Sequence, residues 1–238
     1  MTGGRAAFSL LAALIATGCS SDRGAVLDVY AASSLTDAFA AIEIAFEADH
    51  PTIDVRLNLA GSSTLQRQIL DGADADVFAP ADVALLAPFL DPGDAEIYAH
   101  NTLTLVVPAD DEQRRVDQPA DLARADVLTA RCAAGVPCGE AAIAYLAAAG
   151  IEPGRVTEEP NVRAVLTKVA RGEADAGLVY VTDAALNGDV AEIPLGQAPT
   201  VSYAVAVLSE NPAAATFAAF VHSPAGAEVL RDQGFTVP

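Results

Sequence analysis

The amino-acid sequence, 238 residues long, lacks tryptophan, contains one methionine and is only 5% aromatic. Basic residues are also scarce, since 13 lysines and arginines stand against 32 aspartates and glutamates, a formal net charge of −19. A surface this negative repels DNA, RNA and anionic lipid headgroups, so nucleic-acid binding is disfavoured. Because 52% of the residues are hydrophobic although large rings are few, we expect an interior of Ala, Val and Leu. This composition is typical of a soluble globular protein.

Common catalytic motifs are absent as well. The sequence has no Gly-x-Ser-x-Gly elbow, no P-loop and no His-Glu-x-x-His pair, and its three histidines are far apart. A zinc site would need a second cysteine pair or a histidine cluster. The acidic stretch DGADADVFAPAD at 71–82 resembles a metal cluster, but it covers a predicted turn, strand and helix start, where Asp caps helices or faces water. We therefore expect a binding protein, not an enzyme, with no resident metal or cofactor.

The longest apolar run lies at the N-terminus and is too short to span a bilayer as a helix. Arg5 is the only charge before AAFSLLAALIA at 6–16, and small residues follow. This pattern predicts a secretory signal peptide at 1–18. The small-small-Cys ending resembles a lipobox, so Cys19 would be lipidated and 19–25 would form a tether; two acyl chains suffice for stable anchoring. The alternative is an ordinary cleaved signal with an incidental cysteine.

Two further cysteines, Cys132 and Cys138, are six residues apart. Outside the cytoplasm, a disulfide that closes this short loop is one interpretation of the pair. Two reduced thiols are the other, and the spacing alone does not choose between them.

Beyond the tether, short apolar runs alternate with segments of helical periodicity, a pattern that predicts parallel, doubly wound α/β sheets. The predicted strands are 26–32, 53–59, 76–79, 101–108, 126–130, 177–181 and 201–208, with another near Val156. The predicted helices are 35–49, 64–70, 82–89, 140–149, 162–171, 211–222 and 225–232.

The strands at 101–108 and 201–208 are similar in character and enclose a second α/β set. We therefore predict two doubly wound α/β lobes joined by two crossover strands. Lobe I comprises 26–104 and 204–238, and lobe II comprises 105–203. A double crossover of this kind makes a hinge, and ligands of open α/β sheets bind beyond the carboxyl ends of the strands.

Paired serines follow the first two predicted strands. Ser33 and Ser34 come directly after 26–32, and Ser62 and Ser63 come after 53–59. One interpretation is helix capping, with Ser34 and Asp37 as a capping box. The other is an anion site, because a helix N-terminus offers N–H donors and partial positive charge, to which a serine adds a hydroxyl donor. Two such junctions in successive units favour a shared anion site.

Two junctions in lobe II are comparable. Pro137 and Pro160 each lie near a predicted helix start, where proline leaves the following N–H groups free to point outward. These groups include the N–H of Cys138 and that of Val162. Tyr180 ends a predicted strand with a phenol that can donate one hydrogen bond. The alternative for Tyr180 is a half-buried ring at the lobe interface.

Several segments together resemble the periplasmic molybdate-binding component of ABC importers, a family with the type II periplasmic-binding fold. They are AASSLTDAF, AGSSTLQRQI, GADADVFAPAD, GVPCGEAA, NVRAVLTKVARGEADAGLVYVTDA and GAEVLRDQGF, in order over nearly all of the chain beyond residue 24. The resemblance implies hydroxyl and amide donors from Ser34 and Ser62. It implies backbone N–H donors from Cys138 and Val162 and the phenolic O–H of Tyr180. A member of the family has Ala where this chain has Cys138, a change that leaves the backbone amide in place.

These five residues are uncharged donors, which bears on the choice of anion. Hydrogen phosphate carries a proton that would stay unpaired in a donor-only pocket, at a cost of about 1–3 kcal/mol. Molybdate, tungstate and sulfate carry no proton at neutral pH. The charge of −19 does not prevent their binding, because surface charges beyond roughly 8 Å are screened at physiological salt. Molybdate is the choice that the resemblance implies, and sulfate is the alternative.

The resemblance also implies a transport role. We expect an exported monomer, at the outer face of the cytoplasmic membrane or in the periplasm, that captures molybdate or tungstate between its lobes. It would deliver the anion to the permease and ATPase of an ABC importer, and molybdenum would enter only as the bound oxyanion. A cytoplasmic regulator of the same fold would carry a DNA-binding segment and no signal sequence, which is the opposite of what this chain has.

Overall fold

The computed structural model describes residues 24–110 and 115–238. The predicted signal peptide at 1–18 and the predicted lipidation site Cys19 lie outside the described residues. Within these two ranges, no helix combines the length and the apolar character needed to cross a membrane.

Ten strands and seven α-helices form in the described part of the chain. In chain order they are β1 (Ala25–Ala32), α1 (Thr36–Asp49), β2 (Ile53–Ala60), α2 (Ser62–Leu70), β3 (Val77–Ala79), β4 (Ile97–Pro108), β5 (Leu128–Cys132), α3 (Pro137–Ala148), β6 (Arg155–Glu159), α4 (Val162–Ala170), β7 (Ala176–Tyr180), α5 (Val181–Ala185), β8 (Val190–Ile193), β9 (Thr200–Ala204), β10 (Ala206–Val207), α6 (Pro212–Val221) and α7 (Pro224–Asp232). Short 3-10 helices cover Ser33–Leu35, Val83–Leu86, Pro92–Asp94 and Pro119–Ala123.

The strands form two sheets, one for each lobe. The first has the order β10-β3-β1-β2, and β1 runs parallel to β2 and β3. The second has the order β6-β5-β7-β4-β8, and β5 runs parallel to β6 and β7. Whereas the sequence predicted parallel sheets, both are mixed: β10 is antiparallel to β3, and β4 is antiparallel to β7 and β8. β4 is itself one of the two strands that cross between the lobes, and β10 follows the other, so the chain enters each sheet there in the reverse direction.

The crossover between the lobes consists of β4 and β9. Residues 97–102 of β4 pair with β9, whereas residues 103–108 pair with β7 and β8 of the second sheet. After Val205 the chain leaves β4 and pairs with β3 as β10. The predicted strand 201–208 is therefore two strands with different partners. Two adjacent strands that connect two lobes are the arrangement that hinge closure requires.

The cores of the two lobes differ in character. In the first lobe, Phe39 and Phe46 of α1 pack against Phe217 of α6, with ring centroids 6.0 and 5.1 Å apart. The second core is largely aliphatic, and α4 contributes Val162, Val165, Leu166 and Val169 to it. Their spacing places all four on one helix face, which buries them against the sheet. Small side chains therefore fill the second lobe, as the composition predicted.

Three further segments differ from the sequence prediction. The predicted helix 82–89 is a 3-10 helix over Val83–Leu86, because Pro88 has no N–H to continue an α-helix. The sequence did not predict α5 or β8, which follow Tyr180. These elements have five and four residues, too few for a periodic pattern to identify them.

Candidate functional site

A small cavity lies where the carboxyl ends of β1 and β2 face the N-termini of α3 and α4 across the two lobes. About 10 Å³ of it is open to the centre of a water molecule, and each lobe contributes six residues to its lining. All five residues that the sequence singled out are among them: Ser34, Ser62, Cys138, Val162 and Tyr180. The other lining residues are Ala32, Ser33, Gly61, Ala81, Val136, Pro137 and Asn161, so the cavity wall carries no charged side chain.

The serines of the first lobe do not cap their helices. Helix α1 has Leu35 at its N-cap and α2 has Gly61, and neither N-cap residue has a side chain that accepts a hydrogen bond from the N–H groups of the first turn. The predicted capping box of Ser34 and Asp37 is therefore wrong. The 3-10 turn over Ser33–Leu35 delays the start of α1, which moves Ser34 out of the capping position and into the cavity wall.

The hydroxyl of Ser62 is buried and already accepts a hydrogen bond. The N–H of Ala81 donates to Ser62 Oγ at 3.1 Å, and only 2% of Ser62 is exposed. Because this bond uses a lone pair of the oxygen, the hydroxyl proton remains available as a donor. Ser62 is thus held in place as a donor at the cavity wall.

Ser34 is held by Tyr203, a residue that the sequence reasoning missed. The two hydroxyl oxygens are 2.9 Å apart, and Tyr203 is fully buried on β9. Burial raises the pKa of Tyr203, against smaller lowering effects of hydrogen bonds with Ser34 and Asn101. The phenol therefore stays protonated and can donate to Ser34, which frees the serine proton for a ligand. Within the crossover strand 201–208, nothing in the pattern distinguished this hydroxyl.

Backbone donors come from the second lobe. Cys138 is the second residue of α3 and Val162 is the first of α4. N–H groups in the first turn of a helix have no carbonyl partner within that helix. Asn161 caps α4 by accepting from the N–H of Ala164 at 3.0 Å, which leaves the N–H of Val162 uncommitted to this cap. Asn161 also lines the cavity, although its position in the sequence indicated only a helix start.

The loop that carries the α3 donor is closed by a disulfide. Cys132 at the end of β5 is bonded to Cys138, with Cα atoms 5.6 Å apart. The same loop approaches the backbone so closely that a Cβ atom on Gly139 would lie 2.0 Å from the carbonyl oxygen of Ala133. The N-terminus of α3 is therefore fixed on the strand that precedes it.

Tyr180 presents an unpaired donor to the cavity. The residue is 1% exposed, and its hydroxyl has no hydrogen-bond partner among the described residues. Burial raises its pKa well above the usual value, so the group stays a neutral O–H donor. A buried hydroxyl without a partner costs about 1–3 kcal/mol, a cost that an acceptor in the cavity would remove.

Charged side chains stand behind the cavity wall rather than in it. Asp183 is fully buried, and its Oδ2 accepts a hydrogen bond from the N–H of Tyr180 at 3.3 Å. Its Oδ1 lies 3.0 Å from Nε of Arg163. Burial raises the pKa of Asp183 to about 7, although Arg163 and the N–H of Tyr180 oppose the shift. The ligand space itself is thus surrounded by neutral donors, a set suited to an anion that carries no proton.

Comparison with known proteins agrees with this geometry. Residues 27–236 match the family described as bacterial extracellular solute-binding proteins. The chain belongs to this family. The match covers both lobes and all five of the cavity residues that the sequence singled out. It is consistent with the expectation of a binding protein rather than an enzyme.

Individual relatives are also similar over most of their length. The molybdate-binding protein ModA of Mycobacterium tuberculosis is 39% identical over 220 residues, which cover 88% of this chain and 84% of the relative. Among solved structures, the periplasmic molybdate-binding protein of Azotobacter vinelandii has a TM-score of 0.76 at 22% identity, covering 89% of this chain and 99% of that one. The tungstate ABC transporter structure from Geobacter sulfurreducens has a TM-score of 0.68 at 17% identity, covering 87% and 98%. The predicted two-lobed α/β fold is therefore confirmed.

Proposed function

We propose that this protein binds molybdate, and also tungstate, in the cavity between its lobes and delivers the anion to an ABC importer. The observation that carries the proposal is the buried hydroxyl of Tyr180, which has no hydrogen-bond partner among residues 24–110 and 115–238, in a cavity walled by neutral donors from both lobes. The 39% identity to a protein named as molybdate-binding supports the choice of anion.

In this proposal, five residues contact the oxyanion. Ser34 and Ser62 donate through their hydroxyls and backbone amides from the first lobe. Cys138 and Val162 donate backbone N–H groups from the second lobe, and Tyr180 donates its phenolic O–H. Hydrogen bonds to a charged partner contribute about 1.5–3 kcal/mol each, so five or more donors can outweigh the screened repulsion of a distant acidic surface.

The dimensions of the cavity favour an inorganic anion. Only about 10 Å³ of the cavity is open to the centre of a water molecule, far less than the roughly 300–1,000 Å³ of pockets that hold drug-sized organic ligands. The lack of charged acceptors in the wall also disfavours hydrogen phosphate, whose proton would remain unpaired.

Capture and release would use the hinge. We propose that the two lobes move as rigid bodies about β4 and β9. The first lobe comprises 26–104 and 204–238, and the second comprises 105–203. The change of pairing partner within β4, from β9 to the second sheet, supports a pivot near this position. The closed protein would then dock on the permease, whose ATPase drives release.

We also propose that the mature protein is a monomer held at the outer face of the cytoplasmic membrane by lipid on Cys19. The lipobox-like sequence supports this anchor, and the extracellular character of the family supports export. The mass of the mature N-terminal peptide distinguishes a diacylated Cys19 from an unmodified cleaved end.

A thermal-shift panel with molybdate, tungstate, sulfate and phosphate at matched ionic strength tests the function. A ligand at 100 times its dissociation constant should stabilise the protein by about 2.7 kcal/mol. We expect shifts with molybdate and tungstate and none with phosphate. Absence of a shift with both molybdate and tungstate would contradict the proposal, and a response to sulfate alone would identify a sulfate-binding protein instead.

A further inference from the structure

Three charged residues meet at the edge of the cavity, outside its lining. Arg163 of α4 forms an ion pair with Asp37 of α1, which belongs to the other lobe. The same guanidinium lies 3.0 Å from Asp183 of α5, within its own lobe. The side chain of Arg163 is 29% exposed, Asp37 is 40% exposed and Asp183 is fully buried.

Each of these residues is close in sequence to a proposed ligand donor. Asp37 follows Ser34 by three residues, and Asp183 follows Tyr180 by three residues. Arg163 is adjacent to Val162. The segments that carry donors to the anion therefore also carry the charges of this cluster, so closure of the lobes around the anion brings both sets together.

Neighbouring contacts indicate that the lobes meet closely around this cluster. Ser63 of the first lobe donates to the carbonyl oxygen of Gly135 in the second, at 2.5 Å. A Cβ atom on Gly61 would lie 2.5 Å from the carbonyl oxygen of Pro160, so only glycine allows this approach. Hinge opening would separate these pairs and the Asp37–Arg163 pair, but it would leave Arg163 with Asp183.

We propose that Arg163 is an interlobe latch, held by Asp183 and closed on Asp37, that sets how long the oxyanion stays bound. Arg163 stays beside Asp183 in the open and the closed protein alike, because both residues belong to the same lobe and their side chains are 3.0 Å apart. Arg163 is therefore already oriented when Asp37 arrives, which reduces the entropy lost on closure. None of the three residues touches the ligand, so they act by positioning the lobes. The inference rests on the proposed oxyanion function.

The test compares dissociation rates of molybdate from the full mature protein and from Asp37→Asn, measured by stopped flow. Asn keeps the shape and removes the charge, so we expect dissociation about tenfold faster, equivalent to ~1.4 kcal/mol. Partial exposure of Asp37 keeps the expected effect at this modest size. The ligand-free protein should unfold at an unchanged temperature, because the open form lacks the pair.

Two controls separate the latch from a general charge effect. Asp37→Glu keeps the charge and should retain slow dissociation. Glu158 forms an ion pair with Arg131 within the second lobe, with 2.6 Å between Arg131 Nη2 and Glu158 Oε1. Glu158→Gln removes this pair and should leave the molybdate dissociation rate unchanged.

The outcomes distinguish the two proposals. If the wild-type protein binds neither molybdate nor tungstate, the proposed function fails and the latch fails with it. If the wild type binds molybdate but Asp37→Asn releases it at a rate within twofold of wild type, only the latch is overturned. Equal acceleration in Glu158→Gln would also overturn it, because that pair does not cross between lobes.

Discussion

At the scale of single residues, the site depends on which hydroxyl groups remain available as hydrogen-bond donors. Ser62 accepts from the N–H of Ala81, and Ser34 is paired with the protonated phenol of Tyr203. Both serines are therefore oriented as donors by groups outside the cavity. Tyr180 has no such partner among the described residues, so its donor capacity remains for a ligand. Three side-chain donors thus converge without any positive charge among the lining residues.

Tyr180→Phe isolates the contribution of one donor. We expect molybdate affinity to fall about 10- to 100-fold, the equivalent of the ~1.5–3 kcal/mol of a hydrogen bond to a charged partner. The ligand-free protein should be as stable as wild type or more so, because the change removes an unpaired buried hydroxyl. Isothermal titration calorimetry and thermal unfolding measure the two effects.

Tyr145→Phe is the matched control, since the Tyr145 hydroxyl donates to the carbonyl oxygen of Leu195 at 3.3 Å, outside the cavity lining. This variant should lose a little stability and keep its affinity. Wild-type affinity in Tyr180→Phe would show that the phenol is not a ligand donor.

At the scale of elements, the junctions after β1 and β2 and before α3 and α4 carry the function. The sequence predicted these four junctions because apolar strands ended in serine or proline-containing segments. It did not predict the 3-10 turn that precedes α1, nor the contact that Ser34 of this turn makes with Tyr203, 169 residues away. The break between β9 and β10 was equally hidden, since 201–208 is one run of strand-forming residues and the two strands are separated by their different partners.

The disulfide at the α3 junction gives a prediction at this scale. Replacing Cys132 and Cys138 by Ala should destabilise the protein by about 2–4 kcal/mol, because the loop gains freedom when unfolded. The molybdate affinity should also fall several-fold, because the N–H of residue 138 is no longer fixed on β5. Chemical denaturation and calorimetry measure these effects, with reduced wild-type protein as the comparison. Equal affinity in the oxidised and disulfide-free proteins would show that the bond stabilises the fold without shaping the site.

At the scale of the whole molecule, the acidic balance and the neutral cavity have separate consequences. The 32 acidic residues keep the protein soluble and repel polyanions. None of these acidic residues is among the described residues of the cavity wall, and the buried carboxylate of Asp183 lies behind that wall. Burial of that carboxylate has a cost that global stability measurements can detect.

The raised pKa of Asp183 predicts a definite pH dependence. Its pKa rises from 3.8 to about 7 on folding, so between these values the folded protein holds a proton that the unfolded chain has lost. Its contribution to stability therefore becomes less favourable as pH rises through this window and is least favourable above pH 7. Relative to Asp183→Asn, wild-type protein should gain up to about 3 kcal/mol between pH 8 and pH 5.

Urea denaturation of both proteins across this pH range checks the prediction. Taking the difference between them cancels the titration of the other carboxylates. A difference that stays constant with pH would show that Asp183 remains charged throughout, held by Arg163.

The sequence alone determined the alternation of strands and helices and the four junctions, because these features follow from periodicity and from residues adjacent in the chain. The resemblance of whole segments added the family and the five candidate donors. Tertiary structure alone decided which groups hold the donors in place, namely Ala81 for Ser62 and Tyr203 for Ser34. It alone placed Asp37 against Arg163, 126 residues away. Such contacts depend on how the two lobes close, and sequence spacing does not encode that geometry.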